Sequence, residues 1–449
     1  METTKKKSYR KSNLLLIITG SIIELCFLVF TVFQKSERNI VLYMIVFGVS
    51  FLFYLIAQAI YKNNPEENSK YQWLNKLSRL TGLSPGVLII LLFAILFRIT
   101  LIPTVPSTSD DVYRYIWEGK ILLNGHNPFE VAPDDESLNY LHTKKYPGLV
   151  TYPHMTTIYP ATAQAVFVLG YLISGESDKG LKLIYLIAEI ITLIFIVKIL
   201  RLRNQYENQV ILYAWLPLPI MEFFVNSHVD AVGITFLMIF IYFILANKYL
   251  YSVIPFVLSF LTKLYPAMLF PLLIKQIGWK KSLNFGMLFA LLAIVLMYPF
   301  IPAERSVNAS LFTYLQNWSF NGSVYSLLSG ILKNGYLARE ICLILFLIGV
   351  IIVSVKFKDF LKGAYTIWIL FVVFAATLYP WYLTWISAVN PFFGFYSVLS
   401  LFFTSNFTNL TPLGTVWREY WFVYLIEYVP FYFFLAIELM FLSKKFNKN

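Results

Sequence analysis

The sequence predicts an all-α, polytopic membrane protein with about 11–13 membrane-spanning helices. Apolar residues make up 58% of the chain and charged residues only 13%, whereas about 25% of the residues in a soluble globular protein are charged. Apolar runs repeatedly reach the ~20 residues that a helix needs to cross a bilayer. The alternating pattern of membrane barrel strands does not occur. A helical bundle is therefore the predicted fold class.

The net charge of +12 indicates membrane topology rather than nucleic-acid binding. The basic residues cluster between apolar runs, at positions 5–11, 62–79, 275–281 and 356–362. Cytoplasmic loops of membrane proteins carry such an excess of lysine and arginine. The two cysteines, Cys26 and Cys342, fall inside predicted spans, so a disulfide framework is not expected.

The first apolar run, residues 13–33, follows a basic tail. It is longer than the core of a signal peptide and has no small-residue cleavage site after it, so we interpret it as an uncleaved span with a cytoplasmic N-terminus. Further spans are predicted over about 40–61 and 86–106, with a polar cytoplasmic link between them. The segment after residue 106 is then expected on the outer side of the plasma (inner) membrane.

That outer segment, residues 107–158, is too polar to cross the membrane and contains several prolines. Apolar residues recur at helical spacing over 110–123, with Thr108 or Ser109 available as the N-cap. An amphipathic helix lying on the membrane surface is the expected form.

The remaining apolar runs differ in length and continuity. The run at 159–174 covers only ~23 Å as a helix, so it either returns to the outer side or crosses under strain. The proline-containing run at 251–275 carries Lys263, where two half-helices are expected to meet. The other expected spans cover 181–200, 209–225 with Pro217 and Pro219, 229–246, 282–301, 339–356 and 364–381. Two apolar blocks remain, 383–404 and 420–442: either the first is re-entrant, or both cross and the basic C-terminal tail breaks the charge rule.

We therefore predict one transmembrane domain over residues 1–449. Within it, residues 1–85 hold two N-terminal spans and the cytoplasmic link, 107–158 form the first outer loop, and 302–322 form a second outer loop. No internal repeat or low-complexity segment divides the sequence.

Two adjacent carboxylates, Asp110 and Asp111, stand at the start of the first outer loop. One of them could act as a general base that accepts the proton of a hydroxyl nucleophile. The alternative is structural, because aspartates in a first helical turn complement the helix dipole and Asp110 precedes Arg114 by four residues. Cationic groups that could hold a departing phosphate are Arg114, Lys120, His126, His228, Lys263 and Arg305.

A lysine inside an apolar run costs about 2.5–3.5 kcal/mol at mid-membrane. Lys263 therefore indicates a partner, a water-filled cavity or a side chain that reaches the interface. His228 and Asp230 could hold a metal, or form a polar helix end. Tyr379 and Trp381 fit an interfacial aromatic belt. The sequence contains no Gly-rich phosphate loop, Cys/His metal spacing or nucleophile elbow.

Together these motifs resemble those of a known family. The first outer loop is similar to that of GT-C membrane glycosyltransferases, and most similar to that of bacterial polyprenyl-phosphate-mannose-dependent mannosyltransferases, through residues 109–115 (SDDVYRY), 117–119 (WEG) and 125–129 (GHNPF). Further similar segments follow in the family's order at 158–160 (IYP), 226–230 (NSHVD), 263–266 (KLYP) and 379–382 (YPWY). The ordered set is more specific than any one motif.

The resemblance implies an outward-facing enzyme that transfers a hexose, mannose in the closest likeness, from a polyprenyl phosphate donor to a cell-envelope glycan or glycolipid with inversion. It implies Asp111 or Asp110 as the base. The donor-phosphate and substrate positions that we predict are Arg114, Lys263, His228, Asp230, Tyr113, Trp117, His126, Arg305, Tyr379 and Trp381. No metal ligand or cofactor is assigned, and a divalent cation stays open. The expected partners are the lipid-linked donor, the acceptor and membrane lipid, without nucleic acid.

Three positions depart from the family pattern. Ser227 stands where glycine is commoner, Ala161 where a second proline is usual, and Phe129 where tyrosine is usual. These departures bear on the identity of the acceptor more than on the type of reaction.

Two other functional classes are alternatives. A carrier or flippase for an amphipathic or lipid-linked substrate would also use proline-broken half-helices beside an intramembrane charge, although no inverted repeat is visible. A non-catalytic envelope-assembly protein would tolerate the loss of both Asp110 and Asp111.

Overall fold

The computed structural model describes residues 2–34, 37–61, 72–301, 309–413 and 417–446, with side chains described between residues 13 and 440 of these ranges. Helices account for 77% of the structure. No β-strand occurs within the described ranges, where isolated bridges join Phe320 and Asn321 to Thr377. The predicted all-α class is confirmed.

Some sequence-based predictions fall outside the described residues. Arg305 and the start of the predicted second outer loop lie in the undescribed range 302–308, and part of the predicted cytoplasmic link lies in 62–71. The side chains of the N-terminal basic cluster, 5–11, are also outside the description.

The first ten α-helices of the described ranges are α1 (Glu2–Phe33), α2 (Ile40–Tyr61), α3 (Gln72–Thr81), α4 (Pro85–Leu101), α5 (Asp111–Leu123), α6 (Ala161–Ser174), α7 (Lys179–Leu202), α8 (Ile211–Ala214), α9 (Pro217–Phe224) and α10 (Asp230–Leu245). They are followed by α11 (Tyr249–Phe260), α12 (Phe270–Ile277), α13 (Trp279–Met297), α14 (Ala309–Asn317), α15 (Ser323–Leu332), α16 (Gly335–Lys356), α17 (Phe360–Phe374), α18 (Leu383–Val389), α19 (Tyr396–Thr404) and α20 (Trp421–Phe446). Short 3₁₀ turns cover Glu136–Leu141, Glu207–Val210, Tyr265–Leu269, Tyr298–Phe300, Pro380–Tyr382, Asn390–Phe392 and Ser405–Leu413.

Within the described part of the chain, 6 helices are long and apolar enough to cross a membrane: α1, α2, α7, α13, α16 and α20. The pair α3 and α4, bent by 93°, raises the number to 7 if it counts as one span. Shorter apolar helices of 10–17 residues are α6, α10, α11, α15 and α17. The polytopic class is thus confirmed, while the predicted total of about 11–13 crossings and their directions stay predictions.

The chain groups into two compact units, which are described separately. The first comprises Met1–Ser107, Leu193–Val225 and Ser387–Asn449, and the second comprises Thr108–Thr192 and Asn226–Ile386. The predicted single transmembrane domain stays a prediction. All of the predicted site residues that the structure describes belong to the second unit.

In the first unit, two polar side chains of apolar helices form hydrogen bonds to distant segments, which offsets the cost of their burial. The guanidinium of Arg98 on α4 is fully buried and donates to the carbonyl oxygen of Ala214 at 3.0 Å. The hydroxyl of Tyr43 on α2 donates to the carboxylate of Glu222 at 3.0 Å. The predicted proline break is confirmed, because α9 begins at Pro217, and proline is tolerated at the first helical position.

In the second unit, the predicted outer-loop helix is confirmed as α5, but it is more buried than a surface helix. Val112 and Ile116 are buried, as the apolar pattern predicts. Glu118 and Lys120 are buried as well, because α6 and the rest of the outer loop cover the face that was expected to meet water. Both charges are paired there: Lys120 Nζ, for example, lies 2.9 Å from Glu176 Oε1.

The N-cap of α5 is Asp110, not Thr108 or Ser109 as predicted. The hydroxyl of Ser109 instead accepts a hydrogen bond from the amide of Asp111 at 3.3 Å. This turn places the two aspartates in different positions, Asp110 at the cap and Asp111 as the first residue of the helix.

The predicted break at Lys263 is also confirmed. Helix α11 ends at Phe260, a 3₁₀ turn follows with Pro266 near its start, and α12 begins at Phe270. The helix already ends at its C-cap, Leu261, and Pro266 could not have continued it, because a proline cannot donate to the helical ladder.

The span predicted over 364–381 is too long, because α17 ends at Phe374. The following residues are hydrogen-bonded to Phe320 instead of continuing the helix. The amide of Phe320 donates to Ala376 at 3.1 Å, and its carbonyl accepts from the amide of Leu378 at 2.8 Å.

Gly119 determines how closely α5 approaches α6. A Cβ atom at this position would lie 2.4 Å from the backbone oxygen of Phe167, and a backbone atom cannot rotate away. We expect Gly119→Ala to destabilise the purified protein by about 1–3 kcal/mol, measured as a lower Tm in detergent. Gly48→Ala is the control, because no atom lies within 4 Å of the added carbon. Equal Tm values for both variants would contradict this packing.

Candidate active site

A buried ion pair lies at the break before α12. Lys263 Nζ is 2.6 Å from Oδ2 of Asp230, the first residue of α10. The other oxygen of Asp230 accepts a hydrogen bond from Trp385 Nε1 at 2.6 Å. Asp230 and Trp385 are fully buried, and the ammonium also lies 5.6 Å from the centre of the Tyr382 ring. Lys263 therefore has the partner that a charge in an apolar run requires.

Small residues on α10 and α11 allow this approach. A Cβ atom on Gly233 would lie 2.6 Å from the Trp385 ring, so glycine is needed for the indole to reach Asp230. The hydroxyl of Ser259 on α11 donates to the carbonyl oxygen of Gly233 at 2.7 Å. The hydrogen bond holds α11, and the break that follows it, against the first turns of α10.

The carboxylate of Asp111 faces the same cluster from α5. Its Oδ2 atom lies 3.8 Å from Nδ1 of His228, in the link that precedes α10. The His228 ring stacks on Trp381 with centroids 4.1 Å apart, and Trp381 stacks on Tyr379 at 4.4 Å. The side chain of His228 is fully buried, whereas that of Asp111 is 32% exposed. Asp111 is thus the more accessible of these two side chains.

This environment raises the pKa of Asp111 from 3.8 to about 6. Burial is the main cause; the charge of Lys263 lowers the pKa, and the charge of Asp230 raises it. Solvent reaches the carboxylate on one side while protein surrounds it on the others. Burial, with the charge of Lys263, also lowers the pKa of His228 well below its usual value. His228 is therefore neutral at pH 7, and its contact with Asp111 is not an ion pair.

The link that carries His228 is held by Ser227. Ser227 has a φ of 61°, in the left-handed region that favours glycine. Its hydroxyl donates to Asp178 Oδ2 at 3.1 Å, and the same oxygen lies 2.8 Å from Nζ of the fully buried Lys182. This hydrogen bond offsets part of the backbone strain and fixes the turn between His228 and Asp230.

Arg114 is engaged by its own loop. Its guanidinium lies 3.4 Å from Glu118 Oε1. It also donates to the carbonyl oxygens of Thr151, Tyr152 and Met155 at 2.8, 2.8 and 3.1 Å. These bonds attach the segment 151–155 to α5. The charge of Arg114 still acts on Asp111, and its role as a phosphate ligand stays a prediction.

The structure brings together six of the residues that the sequence singled out: Asp111, His228, Asp230, Lys263, Tyr379 and Trp381. Three others pack against residues of the outer loop: Tyr113 and Trp117 lie 6.4 and 6.3 Å from the Tyr146 ring, and His126 Nε2 lies 2.7 Å from the Tyr140 hydroxyl. Asp110 is the N-cap, and Arg305 is outside the described residues. The catalytic or substrate role of each residue stays a prediction.

Sequence reasoning missed three aromatic residues of this cluster. Trp385 lies one helical turn after Trp381, a spacing that puts both on one face and could have revealed it. Tyr382 was noted only as part of a motif. The Tyr382 hydroxyl lies 2.6 Å from that of Tyr314. No signal in the sequence points to Tyr314.

The contacts of His228 and Asp230 bear on the metal site that the sequence left open. Among the residues that the structure describes, no three His, Cys, Asp or Glu side chains converge as a metal site requires. Asp230 is directed at Lys263 and Trp385, while His228 stacks on Trp381. The role of His228 and Asp230, as a polar helix end or as ligands of a cation, stays a prediction.

Comparison with known proteins identifies the family. A family model described as alpha-(1->6)-mannopyranosyltransferase, N-terminal domain, matches residues 29–277, more than half of the 449-residue chain. The chain belongs to this mannosyltransferase family. No match was found among curated proteins or among solved structures.

The protein is therefore a GT-C membrane mannosyltransferase, as the motifs indicated. Family membership makes it an enzyme, which argues against the carrier and the assembly protein. A mannosyltransferase acts on a sugar donor and a glycan acceptor in the membrane. The matched range contains Asp111, His228, Asp230 and Lys263, while Trp381 and Trp385 lie beyond it.

The left-handed backbone at Ser227 is one that glycine adopts without strain, which agrees with the glycine that the resemblance leads us to expect at this position. We expect Ser227→Gly to keep most of the mannosyl transfer, because glycine adopts this φ without strain. Ser227→Val should lose at least about tenfold, because a β-branched residue at positive φ strains the turn by roughly 1–3 kcal/mol. Transfer rates of detergent-purified variants, normalised to folded protein, provide the measurement. Similar rates for both variants would show that the turn does not matter.

Proposed function

We propose that this mannosyltransferase moves mannose from a polyprenyl phosphate donor to a hydroxyl of a cell-envelope glycan or glycolipid, with inversion at the anomeric carbon. The observation that carries the proposal is the cluster itself. A partly exposed carboxylate, Asp111, lies within electrostatic range of a cation, Lys263, that a buried partner holds in place. A transfer from a phosphate needs a base and a cation together.

Asp111 acts as the base in this proposal. Its carboxylate accepts the proton of the acceptor hydroxyl while the acceptor oxygen forms a bond to C1 of mannose. The bond between C1 and the phosphate oxygen breaks, and its electron pair leaves with the polyprenyl phosphate. A pKa of about 6 suits this task, because the carboxylate is mostly ionised at pH 7 yet more basic than an ordinary aspartate.

Lys263 stabilises the departing phosphate. An ammonium group has three N–H donors, and the contact with Asp230 uses one of them. The other two are left to meet the negative charge that develops on the leaving group. Asp230 and Trp385 hold the ammonium in place, so little reorganisation is needed when the charge appears.

Inversion is supported by the state of the second carboxylate. A double displacement with retention would need a carboxylate that is free to attack the sugar, as in retaining glycosidases. Both oxygens of Asp230 are already engaged, one by Lys263 and one by Trp385. A single displacement by the acceptor therefore fits better. With inversion, an α product requires a β-linked donor.

The family name suggests the acceptor. An alpha-(1->6) linkage would form at the primary hydroxyl of a mannose residue, and we propose that group as the nucleophile. The topology predicted from the basic clusters supports an active site on the outer face of the plasma membrane, with the N-terminus in the cytoplasm.

Replacing the proposed base should separate activity from stability. We expect Asp111→Asn to lower mannosyl transfer by about 10²–10⁴-fold without lowering Tm. The folded-state pKa lies above the usual 3.8, so the folded protein binds this proton more tightly than the unfolded chain. The carboxylate thus lowers stability as pH rises from about 4 to 6, and the neutral amide removes that effect.

Asp230→Asn is the variant to compare with Asp111→Asn. It leaves Lys263 buried without its ion partner, so both activity and Tm should fall, the latter by the equivalent of about 3–5 kcal/mol. Transfer from polyprenyl phosphate mannose by purified enzyme and Tm in the same detergent are the two readouts. Near wild-type transfer by Asp111→Asn would reject the assignment of the base.

The pH profile offers an independent check. Transfer needs ionised Asp111, so kcat/KM should fall tenfold per pH unit below about pH 6, the pKa of this carboxyl group. Lys263 lowers that pKa, so the acidic limb should move to higher pH in Lys263→Gln. A profile that stays flat down to pH 5 would show that another group takes the proton.

A further inference from the structure

We infer that Tyr152 and Trp318 form a stacking subsite for a sugar residue of the acceptor, next to the residue that receives mannose. The inference rests on the proposed function and extends it, because it requires an acceptor of at least two sugars. Neither residue was singled out by the sequence. The rings lie 4.8 Å apart and nearly perpendicular, at 73°, and Tyr152 is 50% exposed.

The pair connects to the proposed phosphate-binding lysine, Lys263, through Tyr314 and Tyr382. The rings of Trp318 and Tyr314 lie 5.4 Å apart, one helical turn from each other. The Tyr314 hydroxyl lies 2.6 Å from that of Tyr382, and the Tyr382 ring lies 5.6 Å from the Lys263 ammonium. A row of rings thus runs from Tyr382, beside Lys263, through Tyr314 and Trp318 to the exposed face of Tyr152. An acceptor whose hydroxyl meets Asp111 would extend along this row.

The backbone segment that carries Tyr152 is fixed by hydrogen bonds. The backbone of Tyr152 has a φ of 53° and is held by the guanidinium of Arg114, which donates to its carbonyl oxygen at 2.8 Å. The hydroxyls of Thr156 and Ser310 lie 2.6 Å apart and tie this segment to α14. An anchor in the lipid headgroups would not require such fixation, whereas a preorganised binding surface does.

The chemistry of the row favours a sugar. The flat C–H face of a pyranose is apolar and packs on aromatic rings, while its hydroxyls point to water. Tyrosine and tryptophan have the same amphipathic character. An anionic group would need cations, but the guanidinium of Arg114 is turned toward backbone oxygens beneath the pair. A saccharide is therefore the ligand class that fits.

The test compares acceptors that differ only in length. The full-length enzyme is assayed with polyprenyl phosphate mannose and either octyl α-mannoside or octyl α-(1->6)-mannotrioside. We expect wild type to use the trioside with at least about tenfold higher kcat/KM. Tyr152→Ala and Trp318→Ala should lose that preference and keep the wild-type rate on the monosaccharide acceptor. Tyr152→Phe, which keeps the ring, should keep the preference.

Trp279→Ala is the control, because Trp279 is an exposed tryptophan, 64% accessible, outside the aromatic row. It should leave the preference unchanged. Equal losses on both acceptors in the Tyr152 and Trp318 variants would overturn the subsite and indicate a membrane anchor or a structural role. An unchanged preference in those variants would overturn it too.

Binding separates this inference from the proposed function. In Asp111→Asn, which keeps the row intact, added α-(1->6)-mannotriose should change the intrinsic fluorescence, and the additional change Tyr152→Ala should abolish the response. Binding without any transfer by the wild type would support the subsite while rejecting the proposed reaction. If the wild type transfers mannose but mannotriose causes no saturable fluorescence change in Asp111→Asn, the subsite is overturned and the proposed reaction is not.

Discussion

The ion pair between Lys263 and Asp230 is the constraint on which the rest of the site depends. A buried charge is stable only when it is paired and hydrogen-bonded. Lys263 stands at a helix break and Asp230 at a helix start, so pairing them fixes α10, α11 and the chain before α12 relative to one another. Trp385 reaches the free oxygen of Asp230 only because Gly233 leaves room for its indole ring.

This arrangement gives the carboxylates of the site different properties. Asp230 is buried and satisfied on both oxygens, and it serves to hold a cation. Asp111 lies close enough to sense that pair, but it is partly open to solvent and has a raised pKa. Asp110, its neighbour in sequence, caps α5. Carboxylates that look alike in the sequence can thus have different functions, because their different environments give one a raised pKa and let another hold a cation.

The outer loop of the second unit joins this site from α5. Arg114 attaches the segment 151–155, and Glu118 accepts hydrogen bonds from Thr157 and Gln164, both at 2.7 Å. The motif around Asp111 therefore serves two purposes. Asp111 faces His228 and the cluster around Lys263, while Arg114 and Glu118, one and two turns later, hold the rest of the loop against α5 and α6. Polar residues of α5 are therefore buried, because they bind other parts of the same polar loop.

The sequence by itself determined the fold class, the broken helices and the presence of both a candidate base and a candidate cation. It could do so because hydropathy, proline positions and charges in apolar runs are local properties of the chain. It singled out Asp111, His228, Asp230 and Lys263. Only the tertiary structure decided which of them touch, because Asp111 and Lys263 are far apart in sequence and their separation depends on packing. Packing also placed Tyr113, Trp117 and His126 within the outer loop, engaged Arg114 with backbone oxygens, and brought Trp385 and Tyr314 into the cluster. Contacts between distant segments produce no pattern in a single sequence. The burial and the partners of these site residues could therefore be known only from the fold.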